Sequence, residues 1–301
     1  METPYLVAQD LWKRFGGLEA VRGVSLVLRP GEVLAFLGPN GAGKTTTVKM
    51  AASLLLPDRG EVRLLGQDPF KNPWALRHLG AVLEGNRNTY WRLTPLENLL
   101  YFGVARGLRL GVARRRALAL LEEYGLLEKA HVEVRHLSRG MQQKLALLQA
   151  LVHDPEVLLL DEPTLGLDVE TALLVQEKIR ALAQAGKAIL LTTHQLEVAE
   201  ALAHRVAIVH KGRLVLEGEK AGILRRFAGD HYVIEPEGPL PAEVLARLRA
   251  LGVEGEGPFL YRGDGAGLWR VLEALKPHPL RRVARAETGL LEVFLEVVGR
   301  A

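Results

Sequence analysis

Residues 38–46 read Gly-Pro-Asn-Gly-Ala-Gly-Lys-Thr-Thr. Gly38, Gly43, Lys44 and Thr45 fall at the fixed positions of the phosphate-loop pattern G-x-x-x-x-G-K-T,. Glycines let successive backbone N–H groups curl round phosphate oxygens, and a helix starting at the loop adds partial positive charge. Lys44 supplies a point charge for the β- and γ-phosphates, and the Thr45 hydroxyl can ligate Mg²⁺. The whole run, Gly38, Pro39, Asn40, Gly41, Ala42, Gly43, Lys44, Thr45 and Thr46, is the candidate triphosphate cradle. Asp161-Glu162 is the second group able to do chemistry. Asp161 is placed to hold the Mg²⁺ shell, and Glu162 can polarise a water for in-line attack on the γ-phosphate. His194 is the third: its imidazole can hydrogen-bond a γ-phosphate oxygen, or cap a helix starting at Gln195,.

The elements that must position these groups are legible around them. Val33-Leu34-Ala35-Phe36-Leu37 ends in the glycine loop, Val157-Leu158-Leu159-Leu160 ends in Asp161, and Ala188-Ile189-Leu190-Leu191 ends in Thr192-Thr193-His194. Uninterrupted apolar runs bounded by turns predict strands covered on both faces, as in a parallel sheet. Ligands bind at the carboxyl ends of such strands, so all three endings are expected to meet at one nucleotide. Residues 5–12 and 21–28 alternate about Gly16-Gly17 and predict antiparallel strands,. A largely helical stretch runs from about residue 94 to 151, with Leu96, Leu99, Leu100 and Gly103 at helical spacing,. Past about residue 220 the pattern changes. Short strands are expected at 231–234 and 259–262. Helices are expected through Leu240, Val244, Leu245, Leu248 and Leu251 (closed by Gly252), through Trp269, Leu272 and Leu275, and over 290–298,. No catalytic constellation is visible there.

One segment narrows the function. Leu137-Ser138-Arg139-Gly140-Met141-Gln142-Gln143, at a helix start upstream of Asp161, resembles the signature motif of ATP-binding cassette (ABC) proteins. Other family elements follow in order. Phe15 matches the aromatic that stacks on adenine, Glu84 stands at the Q-loop glutamine, Leu165-Gly166-Leu167-Asp168 resembles the D-loop, and His194 the switch histidine. The resemblance covers about residues 1–220. The trailing region, with Leu291-Glu292-Val293-Phe294-Leu295, looks more loosely like the extension of ABC-2-type exporter ATPases.

That resemblance implies an α/β P-loop NTPase fold with a RecA-like core, an antiparallel β subdomain and a helical subdomain at about 85–152. Together these would make an ATP-binding domain over residues 1–222, followed by a small C-terminal α/β domain over 223–301. It implies ATP and Mg²⁺ as cofactors, with Thr45, Asp161 and Glu84 at the metal. Ser138, Arg139, Gly140 and Asp168 would serve the nucleotide of a second copy, so two ATP are shared in a head-to-tail pair. It further implies hydrolysis coupled to an integral membrane permease, export as the direction, and no nucleic-acid partner. Two departures stand out. Glu84 replaces a neutral amide by a carboxylate and loses its N–H₂ donor, which predicts a tighter dependence on Mg²⁺. Arg139 stands where many relatives have glycine, and either adds a guanidinium to the trans phosphates or points to solvent. The competing readings are a soluble ABC ATPase in translation or DNA repair, a non-hydrolysing regulatory module and a small-molecule kinase. The first lacks a second cassette or coiled-coil insertion here, the second sits badly with intact Lys44, Asp161, Glu162 and His194, and the third leaves residues 137–143 without a purpose.

Bulk properties bound this reading. The 301 residues, 48% hydrophobic, can build a large and a small domain,. No apolar run reaches the length of a membrane helix and residues 1–15 lack a signal-peptide core, so the expected location is cytoplasmic, peripheral on the inner face of the membrane,. Absence of cysteine excludes disulfides and thiolate metal sites,. Net charge is +4, yet residues 85–144 hold eleven Lys or Arg against five Glu, a segment suited to anionic lipid or an acidic partner as well as to a solvated helical face,.

Overall fold

The structure is a computed structural model that describes residues 3–83, 89–229, 231–255, 257–285 and 289–300. The chain divides into two compact units, residues 1–220 with 297–301, and residues 221–296.

In the first unit, β1 (Leu6–Phe15) and β2 (Leu18–Leu28) form a hairpin turned at Gly16, whose φ of 56° suits glycine,. Both strands run closer to the turn than their alternation predicts. They are followed by β3 (Val33–Leu37), α1 (Lys44–Ala51), β4 (Arg59–Leu64) and β5 (Leu79–Val82). The helical stretch resolves into α2 (Pro95–Ala105), α3 (Leu110–Glu123) and α4 (Arg139–Leu151), with short 3₁₀ turns before α4. Then come β6 (Val157–Asp161), α5 (Val169–Gln184), β7 (Ala188–Thr192), α6 (Leu196–Leu202), β8 (Arg205–His210) and β9 (Arg213–Glu219). The main sheet has the order β5-β6-β7-β3-β8-β9, parallel except for β9, and a second, antiparallel sheet has the order β2-β1-β4.

Every residue of β3, β6 and β7 is buried. The reason is the strand's period of two. Leu158, Leu160, Ile189 and Leu191 enter one core with α2–α5, including Leu99, Leu121, Leu148 and Ile179. Their alternates Val157, Leu159, Ala188 and Leu190 enter a second core with Leu6, Leu11, Val24 and Val62 of the antiparallel sheet. Helices α2–α5 therefore cover one face of the main sheet, and the hairpin sheet together with α1 the other.

The helical segment is tied down by polar groups. Thr94 and Glu97 form a reciprocal cap on α2, and the Thr94 amide is the main reason the Glu97 carboxyl lies below its ordinary range,. Asn98 is fully buried and makes four hydrogen bonds: its Oδ1 accepts from the Tyr90 amide (2.9 Å) and Gln149 Nε2 (3.0 Å), and its Nδ2 donates to the carbonyls of Tyr90 (3.1 Å) and Thr94 (3.0 Å),. That network anchors residues 89–94 onto α2 and α4.

In the second unit, α7 (Lys220–Phe227) leads to β10 (His231–Pro236), α8 (Ala242–Ala250), β11 (Val253–Glu254), β12 (Phe259–Arg262), α9 (Gly265–Leu275) and β13 (Leu280–Arg285), and α10 (Leu290–Arg300) follows. The sheet order is β11-β12-β10-β13, all antiparallel. Strand and helix order together give the split-βαβ arrangement. Val244, Leu248, Val271 and Leu275 of the two helices pack on Ile234, Phe259 and Tyr261 of the sheet. Gly252, with φ of 78°, ends α8 as expected,.

Candidate functional site

The geometry of the site begins with register. Phe36 lies beside Thr192, and Thr192 beside Asp161, so β3, β7 and β6 end at one level of the sheet. A cavity of about 620 Å³ opens there. It takes Phe15, Leu18 and Ala20 from the hairpin, and Asn40, Gly41, Gly43, Lys44, Thr45 and Thr46 from the glycine loop and α1. Asp161, Glu162 and Leu165 follow β6, and His194 follows β7. Gly38, Pro39 and Ala42 do not line it. They stand behind the loop, where the carbonyls of Gly38 (2.7 Å) and Pro39 (3.1 Å) accept from Lys44 Nζ.

Two glycines are fixed by space. A Cβ on Gly38 would lie 2.4 Å from the Val209 carbonyl, and one on Gly43, at φ 101°, would lie 2.4 Å from the Ala20 carbonyl. The loop thus presses against β8 on one side and the hairpin on the other. Gly43 is also the N-cap of α1, whose first amides open toward the cavity,.

Asp161 is only 3% exposed. It accepts from the Thr192 hydroxyl, and its Oδ2 lies 3.4 Å from Thr45 Oγ1. A carboxylate facing a threonine hydroxyl is a hard-oxygen donor set of the kind that suits Mg²⁺. Glu162 has a φ of 51°, in the region an L-residue occupies at a cost of about 1–3 kcal/mol,. Its amide donates to the Thr192 carbonyl at 3.0 Å. One carboxylate oxygen meets His194 Nδ1 at 2.9 Å, whereas Oε2 is buried with no partner among the described residues. His194 does not cap α6, whose N-cap Gln195 makes no side-chain bond to the helix; the ring turns to Glu162 instead.

The signature-like residues lie elsewhere. Ser138 is the N-cap of α4, its hydroxyl accepting from the Met141 amide at 3.3 Å. Arg139 is exposed and begins the helix. Gly140 neighbours Thr171 and Asp168, which would lie 3.7 and 3.9 Å from a Cβ placed on it. Asp168 caps α5, and the Thr171 amide, then the Thr171 hydroxyl, hold its carboxyl below the usual carboxylate range. None of Ser138, Arg139, Gly140 and Asp168 lines the cavity. Glu84 lies outside the described residues.

Sequence patterns did not single out several participants. Leu18 and Ala20 line the hairpin end of the cavity. Thr192 holds Asp161, and Thr164 Oγ1 donates to Gln195 Oε1 at 2.9 Å, bridging the segments that carry Glu162 and His194. The Thr-Thr pair before His194 was the available signal for Thr192; Thr164 and Gln195 find each other only through the sheet.

The family model described as ABC transporter matches residues 21–165. A Nod factor export ATP-binding protein I of Burkholderia lata is 39% identical, over 97% of this chain and 96% of its own. Among solved structures, an ATP-binding subunit of an ABC transporter superposes with a TM-score of 0.69 at 32% identity, over 75% of this chain and 93% of that one. An ATP-binding cassette solved as a dimer in a post-hydrolysis state with ADP and Pi gives 0.64 at 26% identity, over 71% of this chain and 98% of that one. A cradle for phosphates, a strained glutamate with a free carboxylate oxygen and this kinship agree: the chain belongs to the ABC transporter family of ATP-binding proteins and is an ATPase.

Proposed function

We propose that two copies of this chain close head to tail on two ATP and that hydrolysis drives a separate integral membrane permease in export. The observation that carries this reading is the separation of the two half-sites within one copy. The cavity of residues 15–46, 161–165 and 194 holds a cradle but lacks Ser138 and Gly140, which stand at a helix start beside Asp168. A helix N-terminus offers N–H donors to an anion. An exposed one with nothing to bind in its own copy suits the phosphate of another.

In each site Lys44 and the loop amides bind the triphosphate, and Phe15, half-exposed at the cavity's outer end, offers a ring for the adenine,. Thr45 and Asp161 would hold Mg²⁺, which would neutralise negative charge on the phosphates. The Glu162 carboxylate accepts the proton of an attacking water, with His194 Nδ1 held 2.9 Å from its Oε1,. The hydroxyl of Ser138 and the first amides of α4 complete the shell from the second copy.

Export and the membrane partner are supported by the relatives' printed role and by the surface of the helical segment. There Tyr90, Trp91 and Tyr101 are about half-exposed, and Tyr90 and Tyr101 meet edge to face at 5.0 Å. Aromatic groups of this kind mark protein contacts. No helix of the described residues is long and apolar enough to cross a membrane, so the reading assigns that task to the permease. The location is then the cytoplasmic face of the membrane, and the second unit is an accessory domain. The test is recovery of the tagged chain from solubilised membranes of its own host. A polytopic membrane protein should come with it and raise its ATP turnover. Recovery without any such protein, with turnover unaltered by added membranes, would contradict the proposal.

A further inference from the structure

Gln143 joins the two half-sites of one copy. It sits in α4, five residues after Ser138, and its Nε2 donates to the carbonyl of Pro163 at 3.1 Å. Pro163 is buried and directly follows Glu162, the residue at positive φ whose carboxylate faces the cavity. The neighbouring bonds of α4 stay local: Gln142 Nε2 donates to the carbonyls of Val134 and Leu137, just before the helix. Gln143 instead reaches across to the catalytic turn. That turn is held from its other side by two bonds, the Glu162 amide to the Thr192 carbonyl and Thr164 Oγ1 to Gln195. Both of these come from the segment around β7 that also carries His194. The turn carrying Glu162 is therefore held by Gln143 of α4, by the Thr192 carbonyl at the end of β7, and by Gln195 and His194 between β7 and α6.

We infer that Gln143 is a positioning residue that couples the two nucleotide sites of the closed pair. This rests on the shared-site reading above. When the first turn of α4 engages the nucleotide of the second copy, any shift of that helix is passed through the Gln143–Pro163 bond to the backbone of Glu162, which acts on the copy's own nucleotide. The positive φ of Glu162 persists only because surrounding contacts hold it, and the Gln143–Pro163 bond is one of those contacts,. Occupation of one site then sets the alignment of the general base in the other, and the two sites hydrolyse cooperatively.

The test separates hydrogen bonding from packing. Gln143→Met keeps the length of the side chain and removes the donor, and Gln143→Lys keeps a donor. The wild type should show a Hill coefficient for ATP turnover approaching 2. Gln143→Met should fall toward 1 with kcat lowered about tenfold, a loss of roughly 1.4 kcal/mol of transition-state alignment. Its ATP affinity, measured by fluorescent nucleotide displacement, and its melting temperature should match the wild type. Gln143→Lys should stay within about threefold of the wild-type kcat and remain cooperative. A non-cooperative wild type, or a Gln143→Met variant as fast and as cooperative as the wild type, overturns the coupling. A Gln143→Met variant that loses ATP binding or thermal stability along with turnover also overturns it, since the bond then serves the fold. Dimerisation of Glu162→Gln by Mg-ATP is measured alongside. Its failure strikes the shared-site reading itself, and its success with unaltered kinetics in Gln143→Met strikes only this inference.

Discussion

Glu162 shows how much chemistry a single position can hold in its backbone. At φ 51° it is held out of the β region that β6 would otherwise continue, and the turn that follows brings its carboxylate over the cavity,. Replacing it by glutamine keeps the shape and removes the proposed base, so Glu162→Gln should bind ATP normally and turn over about 10²–10⁴-fold more slowly in a steady-state assay. Gly140 makes a complementary point. A Cβ there would meet nothing closer than 3.7 Å, so the fold of one copy tolerates alanine. Gly140→Ala should therefore melt within about 2 °C of the wild type. If the proposed shared site is right, it should nonetheless lose at least about tenfold in kcat, because a phosphate from the second copy would then approach this glycine. Normal turnover in that variant would argue that α4 meets no nucleotide. Gly38, Lys44, Asp161 and Glu162 were readable because their meaning is local: spacing and residue type suffice. The contacts of Gln143, Thr164 and Gln195 were not, since each is made to a group 20 to 31 residues away in sequence and adjacent only after the sheet has formed.

At the scale of elements, the fully apolar strands were legible and the modest ones were not. β3, β6 and β7 announce themselves because both faces are covered,. β5 is four residues long and contains Gly80, which reads as a turn; its glycine is needed because a Cβ would lie 2.2 Å from the Ala150 carbonyl at the end of α4. β4 and β9 are half-exposed edges rich in charge; the partner of β4 is β1, some fifty residues earlier, whereas β9 simply turns back on β8. The same junction of α4 and β5 holds a titratable group. His153, just past α4, has its Nε2 3.1 Å from the Leu79 carbonyl, and burial, aided by the nearby Arg106 and Arg116 charges, pulls its pKa down to about 4,. The sign follows from linkage. Below about pH 6.5 the unfolded chain takes up a proton that the folded chain refuses, so stability declines as pH falls from 6.5 and levels off near 4,. The loss from this one group is up to about 3 kcal/mol. His153→Gln keeps a donor for the Leu79 carbonyl and should flatten that part of the pH–stability curve in urea titrations; an unchanged slope would assign the proton elsewhere.

For the whole molecule, the two units divide the labour. All cavity residues that can meet nucleotide fall in the first unit, and the second builds a complete split-βαβ core of its own. The sequence showed that a second strand-and-helix region exists; it did not show β13, whose Arg-rich, largely exposed run lacks an apolar period. Nucleotide at 100 times its dissociation constant stabilises the unit that binds it by about 2.7 kcal/mol. Amide exchange in β3, β6 and β7 should slow accordingly when Mg-ATP is added to Glu162→Gln, while β10, β12 and β13 exchange as before. Equal slowing in both would mean that the second unit also contributes to binding. The central claim is that ATP is shared between copies. Light scattering of Glu162→Gln with and without saturating Mg-ATP tests it most directly. A doubling of mass on adding nucleotide, abolished when Ser138→Arg is combined with it, is the expected result. A single-chain mass under saturating nucleotide, or a dimer indifferent to Ser138→Arg, would contradict it.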